Sequence, residues 1–412
     1  MPRMNRRQFL IASGVTGGAA LAAGATGVTW HQLSRQAKAE PLAGDAQILV
    51  VLTMYGGNDG LNTLIPYADS AYHAARPELA YSPDQVLHLD DQLGLNPAMT
   101  GMKALWQKQQ LAIVRGVGYP KPDHSHFRSM DIWQTASPDA PSQTGWIGRW
   151  LDATGDDPLR AVNIGSVLPP LAVGAKAAAA ALPIGTSKRL PAAQAAALTA
   201  LGQVDPTDTP AHAMVCAGYR ADRQVDDTFG AIVDTKATSS DDQDQTQGGM
   251  GGGQNSLKEQ LDLVGRCVKA GVPTRVYTVS LGGFDTHADE KQSQQAQLAT
   301  LDFAVSHFLS DLATDARGRN VVLLAYSEFG RRVVANASQG TDHGTAGPVF
   351  VAGPGVKGGF YGTEPSLTDL DDGDLKASTD FRVIYAELLD KVLGTDPGKV
   401  LSGARTQLGL IA

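Results

Sequence analysis

Apolar and polar positions follow two alternating patterns along the chain. Five short apolar runs, rich in Val, Ile and Leu, have the length and composition of buried strands. These runs cover residues 47–54, 111–117, 274–281, 320–326 and 348–352. The helical patterns between and after them cover residues 97–109, 127–135, 256–270, 292–314 and 381–393. Strands alternating with helices predict an α/β fold, with a mostly parallel sheet sandwiched by helices.

Two segments depart from this pattern. Residues 171–203 are rich in alanine and fit either a surface helix or an inserted subdomain. Residues 236–254 are polar and rich in glycine, and they carry too little apolar surface to form a packed core. We expect the second segment to be a flexible loop between the two halves of the domain.

The N-terminus predicts an export signal over residues 1–39. Arg6 and Arg7 precede Gln-Phe-Leu, as in the twin-arginine consensus, and a mildly apolar stretch follows. Ala37-Lys38-Ala39 then has the small-x-small pattern that signal peptidase recognises, which places the cut after Ala39. A single domain over residues 40–412 would remain. No later segment has the roughly 18 apolar residues that span a bilayer, so we expect a periplasmic or secreted protein without a stable membrane anchor. The twin-arginine translocase is its expected partner during export.

Charge and cysteine content exclude some classes of function. The chain of 412 residues has a formal net charge of −8, which argues against nucleic acid or an anionic membrane as its partner. Its two cysteines, Cys216 and Cys267, are too few for a cysteine-rich zinc cluster. They form either one disulfide in an oxidising compartment or two unpaired thiols.

Polar motifs adjoin all five predicted strands. In open parallel sheets, ligands bind beyond the carboxyl ends of the strands, so these motifs are candidates for one shared site. Along the chain, the candidates are Asp59, Ser125, Arg128, Asp285, His287, Glu328, Arg331 and His343. Each motif alone also fits a structural role, such as a turn, a helix cap or a surface ion pair. Their placement at one edge together favours the shared site.

The residue types indicate a metal and an anion. Carboxylates and histidines are ligands for Zn²⁺, Mn²⁺, Mg²⁺ or Ca²⁺. Arg128, Arg331 and Arg332 could hold an anionic group in two-pronged hydrogen bonds. Ser125 opens a predicted helix and is either a nucleophile or only the N-cap. His124 and His126, on either side of it, are either site residues or solvated loop residues.

Six ordered motifs resemble the bacterial secreted family called domain of unknown function 1501. They are G-G-N-D-G-L-N at 56–62, S-H-F-R-S-M-D-I-W at 125–133, G-W-I-G-R-W at 145–150, G-G-F-D-T-H at 282–287, S-E-F-G-R at 327–331 and G-T-D-H-G at 340–344. The resemblance runs from about Gln47 to the C-terminus. The layout is also similar to the alkaline phosphatase superfamily, which includes sulfatases. That likeness implies an alkaline phosphatase-like fold.

The same likeness implies a role for each candidate. Ser125 takes the place of the nucleophile, and Arg128 or Arg331 would hold the anion. The implied metal ligands are Asp59, Asp285, His287, Glu328 and His343. We therefore expect an exported metal-dependent hydrolase acting on a small anionic ester, either a phosphate or a sulfate ester.

Two departures from the superfamily pattern matter. The usual strand-end Asp-His-Gly is replaced by Glu328-Phe329-Gly330, which removes one histidine ligand. The number of metal ions, which is two, one or none, therefore stays open. The sulfatase signature Cys-x-Pro-x-Arg is absent, which argues against formylglycine chemistry. The lost histidine favours the alternative function, a non-catalytic secreted binding or assembly protein on the same scaffold.

Overall fold

The computed structural model describes residues 26–27, 30–155, 157–184, 256–403 and 406–412. Four features singled out from the sequence lie wholly or partly outside these residues: the Arg6-Arg7 pair, the glycine-rich loop 236–254, Cys216, and the larger part of the alanine-rich segment. Cys267 is buried and unpaired. None of the described helices combines the length and apolar character needed to cross a bilayer.

The fold contains short and long strands, numbered here in chain order. They are β1 (Thr26–Gly27), β2 (Ile48–Met54), β3 (Leu64–Ile65), β4 (Leu87–His88), β5 (Gly94–Leu95), β6 (Leu111–Gly118), β7 (Ala161–Ile164), β8 (Ala180–Leu182), β9 (Val276–Leu281), β10 (Val321–Ser327), β11 (Gly347–Ala352), β12 (Gly359–Tyr361), β13 (Leu370–Asp371), β14 (Asp374–Leu375) and β15 (Thr379–Asp380). The helices are α1 (Trp30–Ala39), α2 (Ser70–Ala75), α3 (Thr100–Gln107), α4 (His126–Thr135), α5 (Trp146–Thr154), α6 (Leu257–Ala270), α7 (Glu290–Leu312) and α8 (Phe381–Glu387).

The central sheet has the order β1-β8-β7-β9-β2-β10-β11-β6-β12, with β15 pairing with β6. Every pair is parallel except the two that involve β11, which runs antiparallel to both β10 and β6. Two smaller sheets, β3-β5-β4 and the β13-β14 hairpin, lie apart from it. The predicted mostly parallel sheet is therefore confirmed, and β11 is its one reversed long strand.

Helices cover both faces of the sheet, because its central strands are apolar on both sides. On β2, Ile48, Val50 and Leu52 point into the core beneath α3, α6 and α7. The alternate residues Leu49 and Val51 point into a second core with α4, α5 and α8. Residues 48–54 are all buried. Burial on both faces explains why this strand reads as a continuous apolar run rather than as an alternating one.

The structure contains several elements that the sequence did not predict, among them helices α1, α2 and α5 and the short strands outside the five apolar runs. Three further differences concern the predicted segments and the central sheet. The last predicted helix ends as an α-helix at Glu387 and continues as one π-helical turn to Val392. The described part of the alanine-rich segment contains strand β8, which its Ala-Ala-Leu sequence does not indicate because alanine has low strand propensity. Strand β7 is only four residues long and was also not predicted.

Glu364 makes the fold sensitive to pH. Burial raises the pKa of its carboxyl to about 7, although Arg115 acts in the opposite direction. Because the pKa is higher in the folded chain than in the unfolded one, this group favours folding at low pH and loses that contribution as the pH rises through 7. Replacing Glu364 with Gln should therefore stabilise the protein at pH 8 relative to pH 5, by about 1 kcal/mol after solvent screening. Denaturant unfolding at the two pH values measures this, with the exposed Glu78→Gln variant as control. Equal effects of the two substitutions would contradict the prediction.

Candidate functional site

The reversed strand β11 explains how distant motifs meet. The first residue of an antiparallel strand lies at the edge where its parallel neighbours end. His343, shortly before β11, therefore lies near the residues that follow β9 and β10. Strand β6 runs parallel to these neighbours, so the chain leaving it reaches the same edge and begins helix α4 at His126. The edge predicted from the sequence is thus assembled from both strand directions.

Three side chains converge at this edge. One ligand atom from each of His126, Asp285 and His343 lies within 4.8 Å of the others. His287 adjoins them, because its Nε2 is 3.0 Å from His343 Nε2 and 3.1 Å from Asp285 Oδ1. His343 Nε2 is itself 3.2 Å from Asp285 Oδ1. Three imidazoles and one carboxylate therefore share a small region, called here the His-Asp cluster.

The opposite ring nitrogens of the three histidines face acceptors. His126 Nδ1 is 2.8 Å from Glu328 Oε1, and His343 Nδ1 is 2.7 Å from the His124 carbonyl oxygen. His287 Nδ1 is 3.6 Å from a carboxylate oxygen of Asp342. A ring that donates from Nδ1 keeps a lone pair on Nε2, which is the arrangement of metal-binding histidines and their outer partners.

The inner nitrogen of His126 has no hydrogen-bond partner. Its Nε2 is buried, and the nearest carboxylate oxygen, on Asp285, lies 3.4 Å away. Buried polar atoms without partners are uncommon in folded proteins and need a physical explanation. A cation held by the cluster would supply that partner, so the residues present fit a divalent metal.

Burial and neighbouring charges shift the pKa values of the side chains in the cluster. Burial acts to raise the pKa of Asp285, but the Arg331 guanidinium and the neighbouring histidines hold it at about 2. For His126, burial acts to lower the pKa, yet Glu328 and Asp285 raise it overall. For His343, burial together with Arg331 and His126 lowers the pKa. Asp285 is thus anionic at neutral pH, as a metal ligand must be.

Arg331 organises the site from beneath. Its side chain is fully buried and donates to the carbonyl oxygens of Gly56, Gly57, Phe284 and Thr341. It also donates to Asp285 Oδ1 at 2.8 Å. With its donors occupied, Arg331 is not free to hold a substrate anion. These contacts fit a residue that positions Asp285 and the surrounding loops, whereas the sequence predicts that Arg331 holds an anion.

Arg128 and Ser125 lie at the start of α4. Arg128 forms an ion pair with Asp131 at 2.6 Å, and among the described residues no contact joins Arg128 to the His-Asp cluster. Ser125 is exposed and occupies the N-cap position, but its hydroxyl makes no capping hydrogen bond. The Ser125 hydroxyl, one residue from His126, is therefore available for chemistry.

Two predicted metal ligands lie outside the cluster. Asp59 is fully buried, pairs with Arg76 and accepts a hydrogen bond from the Leu61 amide, so its carboxylate oxygens contact groups outside the His-Asp cluster. The partner of Asp59 is the buried Arg76, and no sequence pattern indicated this pairing. Glu328 lies behind His126, and its carboxylate oxygens face His126 Nδ1, the Gly56 amide and the Ser327 hydroxyl.

His126 is the site residue that sequence reasoning left undecided. It stands in the S-H-F-R motif and opens α4, but the residues between β6 and this helix give no periodic signal. Only the contact with Glu328, 202 positions away, shows its role. Its place at the head of a helix that follows a strand was the one signal available.

The Gly56-Gly57 pair allows the loop after β2 to lie against the site. Gly56 has φ of +117°, and a Cβ there would come within 2.4 Å of the Asp285 amide nitrogen. A Cβ on Gly57 would come within 2.2 Å of the Phe329 ring. The G-G-N-D-G motif is therefore needed for close approach of the backbone, beyond its role as a turn.

Replacing Glu328 with Gln should weaken metal binding about 10- to 100-fold, because the amide supports the orientation and basicity of His126 less well. Isothermal titration with Zn²⁺ at fixed pH measures the change. Asp131→Asn, a substitution of a partly exposed carboxylate on the same helix as His126, serves as the matched control. Unchanged affinity in the Glu328→Gln variant would show that this carboxylate does not support the site.

Comparison with known proteins gave matches at the level of family and fold. A search of curated proteins gave no significant match. A structure of a protein in the alkaline phosphatase superfamily from Vibrio parahaemolyticus is 10% identical, covering 82% of this chain and 72% of that chain, with a TM-score of 0.37. A putative sulfatase from Bacteroides thetaiotaomicron is also 10% identical, covering 76% and 66%, with a TM-score of 0.30. The structure of Ps i-CgsB is 9% identical, covering 87% and 75%, with a TM-score of 0.40.

Similarity at this level carries no information about the chemistry of this chain. The family match is different in kind, because it covers most of the sequence and includes all six motifs. The family described as "Protein of unknown function (DUF1501)" matches residues 46–406, and the protein belongs to that family.

Proposed function

We propose that this protein is an exported metal-dependent hydrolase of small phosphate or sulfate esters. The observation that carries the proposal is the His-Asp cluster, in which three Nε2 atoms and one carboxylate converge while each outer nitrogen faces an acceptor. Histidines with a purely structural role rarely leave a buried ring nitrogen without a hydrogen-bond partner. His126 does so, because its Nε2 is buried and has none.

The ligands would be His126, Asp285, His287 and His343. Three imidazoles and one carboxylate favour Zn²⁺ or Mn²⁺ over Mg²⁺ and Ca²⁺, which prefer oxygen ligands. Phe329 packs against the rings of His126 and His343, with centroids 4.8 and 4.9 Å away, and fills the space beside them. We therefore expect one ion per chain. Such an ion would polarise an ester oxygen and stabilise the negative charge that develops on it.

The side chains around the cluster divide the remaining work. Ser125 offers an uncapped, exposed hydroxyl at the N-terminus of α4, where the helix dipole favours an anionic group. Attack by this hydroxyl would form a covalent ester and release the alcohol, and water would then release phosphate or sulfate. Arg331 and Glu328 hold the ligands in position. Export through the twin-arginine translocase would carry the folded, loaded protein out of the cytoplasm.

The direct test combines metal analysis with turnover. We expect about one zinc or manganese ion per purified chain, together with hydrolysis of aryl phosphate or aryl sulfate esters. Ser125→Ala should abolish turnover and leave the metal content unchanged, whereas Ser137→Ala, a serine beyond the same helix, should change neither. Protein that contains no stoichiometric metal after refolding with Zn²⁺ or Mn²⁺ would overturn the proposal.

The alternative is a non-catalytic secreted binding or assembly protein on this scaffold. The occupied donors of Arg331 favour it, because they leave the cluster without the buried anion clamp expected of an ester hydrolase. One metal ion per chain, tight binding of a carbohydrate or protein, and no turnover over the ester panel would establish this alternative.

A further inference from the structure

The N-terminal helix α1 is part of the folded domain. Leu33 is fully buried and Ala37 is 5% exposed, and both lie in the core formed by α6, α7 and the sheet. Just upstream, β1 pairs in parallel with β8, with Thr26 opposite Ala180. The segment that precedes the predicted cut is therefore docked through both a helix and a strand.

The chain is also held after the predicted cut. The Glu40 amide donates to the Gln36 carbonyl oxygen at 2.7 Å, which continues the helical hydrogen bonds across the Ala39–Glu40 bond. The Leu42 amide donates to Gly271, and Arg317 Nε donates to the Leu42 carbonyl oxygen. Asn320 Nδ2 donates to the Gly44 carbonyl oxygen at 2.7 Å.

This geometry conflicts with proteolysis at Ala39. Signal peptidase reads small side chains at Ala37 and Ala39, but Ala37 faces the core and the backbone between them is helical. Proteases cleave exposed, mobile segments, and susceptibility follows the burial and hydrogen bonding of the backbone concerned. Access to this bond requires α1 to leave its place on α6 and unwind.

We propose that docking of α1 protects the Ala39–Glu40 bond, so that the folded protein keeps residues 30–39 as a structural helix. The sequence contains the small-x-small pattern for cleavage, and the tertiary structure makes that site inaccessible to the peptidase. Because the twin-arginine route carries folded proteins, a chain that folds before export would reach the peptidase with this bond already covered.

The test compares the folded chain, a peptide, and two variants of α1. Purified signal peptidase should cut a peptide of residues 1–45, which keeps the apolar stretch and the cleavage motif, after Ala39. It should cut the folded full-length chain at least about tenfold more slowly. The Leu33→Asp variant should restore cutting, whereas Lys38→Ala, on the exposed side of α1, should not. A peptide that resists cleavage, or a folded wild-type chain cut as fast as the peptide, would overturn the proposal.

A second measurement needs no variant. Hydrogen exchange on the wild-type full-length chain should show slow exchange at the Glu40 and Leu42 amides, since both are hydrogen-bonded against a packed surface. Exchange there as fast as in the free peptide would contradict docking. The mass of exported protein should likewise place its N-terminus before Trp30, and a start at Glu40 would contradict retention of the helix.

Discussion

Replacing Asp59 with Ala is expected to lower the free energy of unfolding by about 3–5 kcal/mol, because the change leaves a buried guanidinium without its partner. Arg76 and Asp59 are both fully buried. Arg76 also donates to the carbonyl oxygens of Arg332 and Val333, so it cannot turn toward solvent without breaking those hydrogen bonds. The lost N-cap hydrogen bond to Leu61 adds to the cost.

Glu290 beside this pair sharpens the prediction. Burial and the charge of Asp59 raise the pKa of Glu290, so that its carboxyl holds a proton while Asp59 is ionised. When Asp59 is removed, Glu290 can ionise and supply part of the missing charge to Arg76. The Asp59→Ala, Glu290→Gln double variant should therefore lose more stability than the two single variants together.

Urea unfolding at pH 7 measures these effects. The matched control is Asp262→Ala, because Asp262 lies on the surface of α6 and its ion pair with Lys258 is exposed to solvent. That substitution should change stability by less than about 0.5 kcal/mol. If Asp59→Ala lost no more stability than this control, the buried ion pair would not be holding the loop between β2 and β3 in place.

Replacing His343 with Ala should weaken zinc affinity by more than about 100-fold, the upper end of the loss expected for removing only an outer-shell partner. His343 touches every other member of the His-Asp cluster, through Asp285 and through the rings of His126 and His287. His126→Ala should have an effect of the same order, because it removes the buried nitrogen that has no other partner.

Elemental analysis and zinc titration of the purified variants measure the loss. His88→Ala is the control, since His88 is exposed, stacks on Tyr67 and lies outside the cluster. Unfolding curves should show that the His343→Ala and His126→Ala variants remain folded. If both kept full metal content, the ion would have to be held elsewhere, and the assignment of the cluster as the metal centre would be wrong.

The sequence was most informative where one element depends mainly on its own residues. The apolar run at 47–54 becomes β2 (Ile48–Met54), and the pattern at 256–270 becomes α6 (Leu257–Ala270). Helix α6 also carries its own start and stop signals, a capping box at Ser256 and Glu259 and a left-handed Gly271. Such segments adopt the same secondary structure regardless of the elements that pack against them.

Long-range pairing was not accessible in the same way. In the sequence, nothing distinguishes Asp59 from a metal ligand, and in the structure it pairs with Arg76. In the same way, Arg331 has the sequence context of an anion-binding residue, and in the structure it donates to backbone carbonyl oxygens. In both cases, a second residue with no motif of its own decides what the first one does.

By itself, the sequence determined the α/β alternation, the positions of the principal helices and strands, and the gathering of polar motifs at strand ends, because these follow from local periodicity. The tertiary structure decided the rest. It placed His126 in the cluster, paired Asp59 with Arg76 and Glu328 with His126, and packed Ala37 against the core. Each of these results depends on which distant residue fills the neighbouring space, and that is determined only when the chain closes on itself.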